Sequence, residues 1–342
     1  MPLSPRRGAG LTSAALLAVV VAAGCSSGSV SASSSTPTVN PTSTVGPQLI
    51  PDIVAKTQPS VVTINTSEGL GSGVIYRSDG VIVTDAHVVS GSQQVQVQYA
   101  DGRTENGTVS ASDAVTDLAV VKVGRKNLPA AKFNTDTPQV GSLDVVLGSP
   151  LGLSHSVTSG IVSGLNRNLP AGQGQPALVD LIQTDAPISP GNSGGAVVNA
   201  DGEVIGISEA YIPPNQGAVA LGFATPSATV VDVADQLLQS GKAQHAYLGI
   251  QPATLTPQIA SSLGLSVQQG VLVYSVYPGT PAAQAGIQPG DVLTAMNGQP
   301  LASATDLQAQ LRQLNPGQTV TLTDVRGNQT LSIKVTLTDR PQ

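Results

Sequence analysis

Residues 188–207 read ISPGNSGGAVVNADGEVIGI. In the second half of this stretch, apolar residues flank Asp201-Gly202, a pair that suits the tight primed turn of a β-hairpin. The first half, Gly191-Asn192-Ser193-Gly194-Gly195, is by itself a turn signal. Glycine accepts backbone angles that other residues resist, and asparagine bonds its own backbone. Outward from here, Val61 to Pro226 repeats one texture: short β-rich runs such as "SVVTI", "GVIVTDAHVV", "LAVVKV", "DVVLG" and "AVALGFATP", punctuated by Gly and Asp-Gly. Runs this short and closely spaced predict an all-β sandwich or barrel rather than alternating strand and helix, and the segment has room for two barrels. "LPAGQGQPA", residues 169–177, predicts a surface loop.

From Ser227 the texture changes. "SATVVDVADQLLQSG" places Val231, Ala234, Leu237 and Leu238 near one face of a helix that Gly241 can stop. Residues 241–246 then form a hinge. Beyond it, residues 247–338 combine β runs ("GVLVYSVY", "DVLTAMNG", "TVTLTDV", "QTLSIKVTL") with a short "PAAQAG" helix and a helix from Ala304 to Leu314. The expected plan is a β-rich body over 50–240 and an α+β unit over 247–338.

Aromatic residues make up 2% of the 342 residues and Trp is absent, so the cores must be built from Val, Leu, Ile and Ala. A net charge of −6 without a Lys/Arg cluster argues against a nucleic-acid partner. Arg6 and Arg7 precede an apolar run, Leu11 to Ala23, that is short for a permanent span and reads as an export signal over residues 1–24. It ends in "AAGC", whose Cys25 is the one cysteine of the chain. Small residues before a cysteine at the end of an export signal resemble a bacterial lipobox, in which the thiol takes a diacylglycerol and anchors the chain to a bilayer. Losing Arg6 and Arg7 with the signal would move the net charge to −8. Residues 25–49, rich in Ser, Thr and Pro, are expected to be a disordered tether.

A serine hydroxyl attacks well at neutral pH only when a base takes its proton. Of the three histidines, His87 ends an apolar β run, where a strand can aim its ring across a cleft; His155 lies in a turn and His245 in the hinge. The base in turn needs a carboxylate on its far nitrogen. Asp117, at the mouth of the next β run, is the first choice, with Asp113 and Asp85 as alternatives. The order His, Asp, Ser on a β-rich scaffold is that of the chymotrypsin-type arrangement.

The segments "GSGVIYRSDGVIVTDAHVV", "DLAVVKV" and "TDAPISPGNSGGAVVNADGEVIGI", followed by a unit opening "YLGI", closely resemble HtrA/DegP-type serine proteases with a C-terminal PDZ domain. The likeness runs from residue 50 to residue 336. It implies an all-β double-barrel chymotrypsin-like serine protease domain followed by an α+β PDZ domain. It also implies an endopeptidase acting on unfolded or misfolded envelope proteins, with His87 as base, Asp117 as orienting acid and Ser193 as nucleophile. The N–H groups of Gly191 and Ser193 would form the oxyanion hole. Where the family usually has Thr-Asn, this chain has Thr84-Asp85. Pro187, Ile188 and Phe223 match the walls of the family's specificity pocket, and with no charge there a small or medium aliphatic residue is expected at the cleaved position. Tyr247, Leu248, Gly249 and Ile250 match the PDZ carboxylate-binding loop, with Leu311 as an opposing wall, which implies peptides with apolar C-termini as ligands. A homotrimer is also implied, although residues 26–60 hold none of the aromatic residues that often help build it.

No cofactor is implied. The scattered histidines and single cysteine lack metal-ligand spacing, and the glycines form no nucleotide-binding fingerprint. The competing reading, a catalytically inactive peptide-binding or chaperone lipoprotein, explains the tether but not the His87, Asp117 and Ser193 segments.

Overall fold

The computed structural model describes residues 49–67, 69–148, 156–170, 177–212 and 221–341. The expected export signal, Cys25, most of the tether, His155 and most of the 169–177 loop lie outside them. After a short helix, α1 (Leu49–Thr57), come β1 (Val61–Asn65), β2 (Leu70–Arg77), β3 (Val81–Asp85), β4 (Gln94–Gln98), β5 (Thr104–Asp113) and β6 (Leu118–Lys122). These close into an antiparallel barrel in the order β1-β2-β3-β6-β5-β4. A second barrel, ordered β10-β11-β12-β9-β8-β7, is built from β7 (Leu143–Gly148), β8 (Ser156–Leu169), β9 (Leu178–Thr184), β10 (Ala196–Val198), β11 (Val204–Ile212) and β12 (Leu221–Pro226).

The near-continuous aliphatic runs are explained by burial on both faces of the strands. In β1, Val62 and Ile64 fill the first barrel with Ile75, Ile82 and Val121, while Val61 turns outward. In β7, Val146 enters the second barrel, whereas Val145 and Leu147 meet Val61, Val74, Val83 and Leu118 in a shared apolar layer between the barrels. That layer fixes the cleft between them. Helix α2 (Ser227–Ser240) adds Val230, Val233, Ala234 and Leu237 to it and ends at Gly241, whose φ is +78°. The buried face is thus shifted from the expected one, with Val230 and Val233 inside and Val231 half-buried.

The hairpin at 199–203 forms, but through a different turn. Only Gly202 has positive φ (+68°), Gly202 N–H donates to Asn199 O, and the Asn199 side chain accepts from Asp201 and Glu203 N–H. A primed turn needs positive φ at both central residues, so the asparagine-stapled turn replaces it. Helix α1 was not expected. It lies where the tether meets the β-rich body, and its Ile53 packs into the layer between the barrels.

The second unit comprises β13 (Ala246–Tyr247), β14 (Ile250–Leu255), α3 (Pro257–Ser262), β15 (Gly270–Val276), α4 (Pro281–Gln284), β16 (Val292–Met296), β17 (Gln299–Pro300), α5 (Ala304–Arg312), β18 (Thr319–Arg326), β19 (Gln329–Thr336) and β20 (Thr338–Asp339). The main sheet runs β14-β15-β16-β18-β19, and Leu248, Val271, Leu293, Leu307 and Leu322 form a core of their own. Helix α5 starts with a capping box in which Ser303 Oγ accepts from Asp306 N–H and the Asp306 carboxylate accepts from Ser303 N–H. No described helix is long and apolar enough to cross a membrane.

Candidate active site

His87 follows directly on β3, in a short 3-10 turn, and Asp117 sits just before β6, which pairs with β3. The two are locked together. Asp117 adopts an unusual φ of +53°, its carbonyl accepts Ala86 N–H at 2.8 Å, and its Oδ1 accepts His87 N–H at 2.8 Å. Oδ2 lies 2.6 Å from His87 Nδ1. One carboxylate therefore fixes both the backbone and the ring of the histidine. With Nδ1–H given to Asp117, Nε2 is the nitrogen left to take a proton.

Ser193 comes from the second barrel, in the loop before β10. Ser72 on β2 pins that loop across the cleft: its N–H donates to Ser193 O at 2.8 Å and its Oγ to Gly191 O at 2.7 Å. The N–H groups of Asn192, Gly194 and Gly195 are bound to Ser189, Ser208 and Asn192 carbonyls. Among the described residues, those of Gly191 and Ser193 have no protein acceptor. Gly191 has φ +98° and Gly194 φ +81°, a winding that a side chain would resist. His87, Gly191 and Ser193 line one cleft of about 330 Å³, with Thr66, Leu70 and Pro190 among its other walls. The Ser193 hydroxyl donates to Glu209 O at 3.2 Å.

The alternatives raised by the sequence sort themselves. Asp113 does not face His87; it binds His245 Nε2 at 2.9 Å and receives the Thr116 N–H and hydroxyl, tying the hinge to the turn that carries Asp117. Asp85 is fully buried beside the His87–Asp117 pair. Burial opposes the charged imidazole of His87, but the Asp117 hydrogen bond and the nearby Asp85 and Asp117 charges outweigh it and raise its pKa. For Asp117 burial is likewise the largest influence, yet hydrogen bonds from His87 and Glu209 hold its pKa below the usual carboxylate value.

The proposed pocket walls are not brought together. Ile188 packs inside the second barrel, directly against Gly222, so Phe223 on the same strand faces away and joins Leu178 and Leu181. Alternation along β12 thus sends Gly222 and Phe223 to opposite faces, and Ile188 and Phe223 into different buried clusters. Pro187 is exposed, and its carbonyl accepts from the Thr158 hydroxyl.

In the second unit, Gly249 has φ +89°, and a methyl there would fall 2.1 Å from Thr280 Cβ, so only glycine fits. Leu248 and Ile250 are buried in the core, Tyr247 pairs with Thr338, and Leu311 packs half-buried against the same core. β14 is the terminal strand of its described sheet, with α5 beside it, leaving an edge to which an extended peptide can add.

Two residues of the site neighbourhood were missed from sequence. Glu209 is the extra residue of a β-bulge between Ser208 and Ala210, which turns its side chain towards His87; a lone acid at the end of the apolar "VIGIS" run was its only signal. Arg312, on α5, donates to the carbonyls of Val179 and Val115, the latter two residues from Asp117. Nothing local marks that long-range contact.

Comparison with known proteins agrees with this architecture. Residues 71–207 match the trypsin-like peptidase domain and residues 246–337 the PDZ domain. The periplasmic pH-dependent serine endoprotease DegQ of Escherichia coli K12 is 39% identical over 273 residues, which cover 79% of this chain and 59% of DegQ. The periplasmic serine endoprotease DegP of the same organism is 38% identical over 276 residues, covering 80% of this chain and 58% of DegP. The chain thus spans about three fifths of the length of these curated relatives. The solved structure of the HtrA-type protease AlgW with a decapeptide superposes with a TM-score of 0.71 at 31% identity, covering 85% of this chain and 99% of that one. With a chymotrypsin-like double barrel followed by a PDZ domain and a likeness spanning nearly all of AlgW, the chain belongs to the HtrA-type serine protease family.

Proposed function

We propose that this chain is a serine endopeptidase that cleaves unfolded or misfolded proteins outside the cytoplasm, using His87, Asp117 and Ser193. The observation that carries the reading is the 2.6 Å His87–Asp117 bond at the wall of a cleft that Ser193 also lines. In the reaction, the Ser193 hydroxyl leaves the Glu209 carbonyl for His87 Nε2 and attacks the peptide carbonyl carbon as His87 takes its proton. Asp117 stabilises the imidazolium. The N–H groups of Gly191 and Ser193, without acceptors among the described residues, receive the oxyanion, and one such donor contributes about 2.7–4 kcal/mol in a well-studied case. His87 then protonates the leaving amine, and water attacks the acyl-enzyme by the same route in reverse.

The open edge of β14 and the glycine-tight Tyr247–Ile250 turn support binding of peptide C-termini, whose N–H donors would receive the terminal carboxylate. The peptide-bound AlgW structure supports the same reading. Extracytoplasmic location rests on the periplasmic relatives and the N-terminal pattern; a lipid on Cys25 would add anchorage to a membrane. A homotrimer fits the family.

The test compares the intact chain with its Ser193→Ala variant on casein, with and without peptides ending in apolar residues. Loss of cleavage in the variant and stimulation by the peptides are expected; unchanged cleavage by Ser193→Ala would refute the assignment. Mass spectrometry of the membrane-extracted N-terminus should find a diacylglyceryl group on Cys25, and none after Cys25→Ser.

A further inference from the structure

The carboxylates around His87 outnumber what the proposed triad needs. Asp117 is one. Asp85, at the end of β3, and Glu209, in the β11 bulge, are the others, and both are buried to within 3%. An oxygen of each and a ring nitrogen of His87 all lie within 4.8 Å of one another. Neither Asp85 oxygen meets a donor at bonding distance, and the nearby Gly194 N–H is already given to Ser208 O. Apart from the neighbouring carboxylates, the described groups facing Glu209 are the Thr225 hydroxyl, at 3.5 Å, and His87 Nδ1, at 3.8 Å, which Asp117 pre-empts. The cation facing Glu209 from α5, Arg312, gives its hydrogen bonds to two backbone carbonyls instead.

Three carboxylates cannot all stay ionised in so dry a pocket. We propose that Asp85 and Glu209 share one proton and form a positioning pair beneath the His87–Asp117 bond. The shared proton supplies the O–H donor that the cluster otherwise lacks. Glu209 uses it to hold the Asp85 carboxylate in place, and the pair keeps one negative charge under the imidazole. Burial, followed by the neighbouring carboxylates, raises the pKa of Glu209 well above normal, and burial does the same for Asp85, in keeping with a retained proton. A bound divalent cation is the competing way to offset the charge, but it would have to break the 2.6 Å His87–Asp117 bond to reach Nδ1. The pair's existence stands on the geometry alone, while its effect on catalysis rests on the protease reading.

The test reads His87 directly, by NMR titration of the histidine-labelled full chain, so it does not depend on peptide cleavage. Asp85→Asn and Glu209→Gln each leave one carboxylate facing an amide donor, so each should keep the His87 pKa close to the wild-type value. The double variant Asp85→Asn/Glu209→Gln, similar in size but uncharged, should lower it by roughly one to two pH units. If the chain is active, the acid limb of kcat/KM should move by the same amount, whereas a merely structural role would change stability or kcat and leave the limb in place. Absence of a shift in the double variant, or a full shift in either single one, would overturn the proposal. Should the double variant fail to fold, infrared spectra of the unaltered chain decide. Burial pushes the pKa of Asp144 and of Asp324 up to about 6, so a protonated-carboxyl band persisting well above that pH is expected from the pair, and its absence counts against sharing. Metal analysis before and after EDTA completes the test, since stoichiometric, chelator-removable metal would make the cluster a cation site instead.

Discussion

Replacing Gly194 by alanine adds one methyl group to a tightly anchored point of the Ser193 loop. At φ +81° that methyl would lie 2.2 Å from Ser72 O and 2.3 Å from Thr84 Oγ1, distances that real Cβ contacts do not reach. Neither neighbour has room to retreat: Thr84 Oγ1 donates to Ser72 O at 2.6 Å, and Ser72 N–H holds Ser193 O. Left-handed backbone costs an alanine roughly 1–2 kcal/mol, and overpacking a tight site adds roughly 1–3 kcal/mol. For a chain of this size the sum corresponds to a melting point lower by roughly 5–15 °C. If the clash is relieved by moving the Ser193–Gly194 peptide about 1 Å, kcat should fall on the order of 100-fold with little change in KM. Gly102→Ala is the control, because φ there is +79° but nothing lies within 4 Å of the added methyl, leaving the backbone cost alone. Calorimetry and casein hydrolysis on both variants make the comparison. A Gly194→Ala chain that melts no lower than Gly102→Ala would refute the claim that the loop is held rigidly against β2 and β3.

Further outcomes follow from the same geometry. Asp117→Asn should cost about 10⁴-fold in kcat by stabilising the wrong histidine tautomer, whereas Asp113→Asn should leave kcat within a few-fold and instead loosen the hinge at His245, seen as faster hydrogen exchange there. Burial raises the pKa of Asp144 to about 6, well above its unfolded value, despite the Thr184 hydrogen bond. A carboxyl raised in this way disfavours the folded state as it ionises, so its contribution to stability is greatest below the unfolded pKa and is lost as pH rises towards and through about 6. Asp144→Asn should therefore flatten urea-melt stability between about pH 4 and about pH 6 and raise it above that window by about 1–3 kcal/mol; a slope identical to wild type there would show that Asp144 is not the titrating group.

Some of this was legible residue by residue. The β runs and the helix ended by Gly241 are local properties of pattern and turn chemistry, and they appear where the sequence puts them. His87 and Ser193 stood out as candidates because each lies at the end of an apolar run, where a strand delivers a polar side chain to an edge, whereas the same rule left Asp117, Asp113 and Asp85 all open. Helix α1 was not, because its nine residues include Pro51 and its stability comes from Ile53 docking between the barrels, not from propensity. The turn at 199–203 was misread because the Asn199 side chain outcompetes the Asp-Gly preference by binding two backbone N–H groups.

What the sequence alone determined is therefore the set of strands, the two-unit plan and the candidate histidine and serine, His87 and Ser193, all of which depend on neighbours within a few positions. The tertiary structure decided which of three aspartates reaches His87, that Ile188 and Phe223 pack in different clusters, and that Glu209 lies beside Asp85. Those outcomes depend on barrel closure, on a one-residue bulge in β11 and on the direction of alternation in β12. A single-residue change of register reverses which way a side chain faces, and only the closed, packed barrels fix that register.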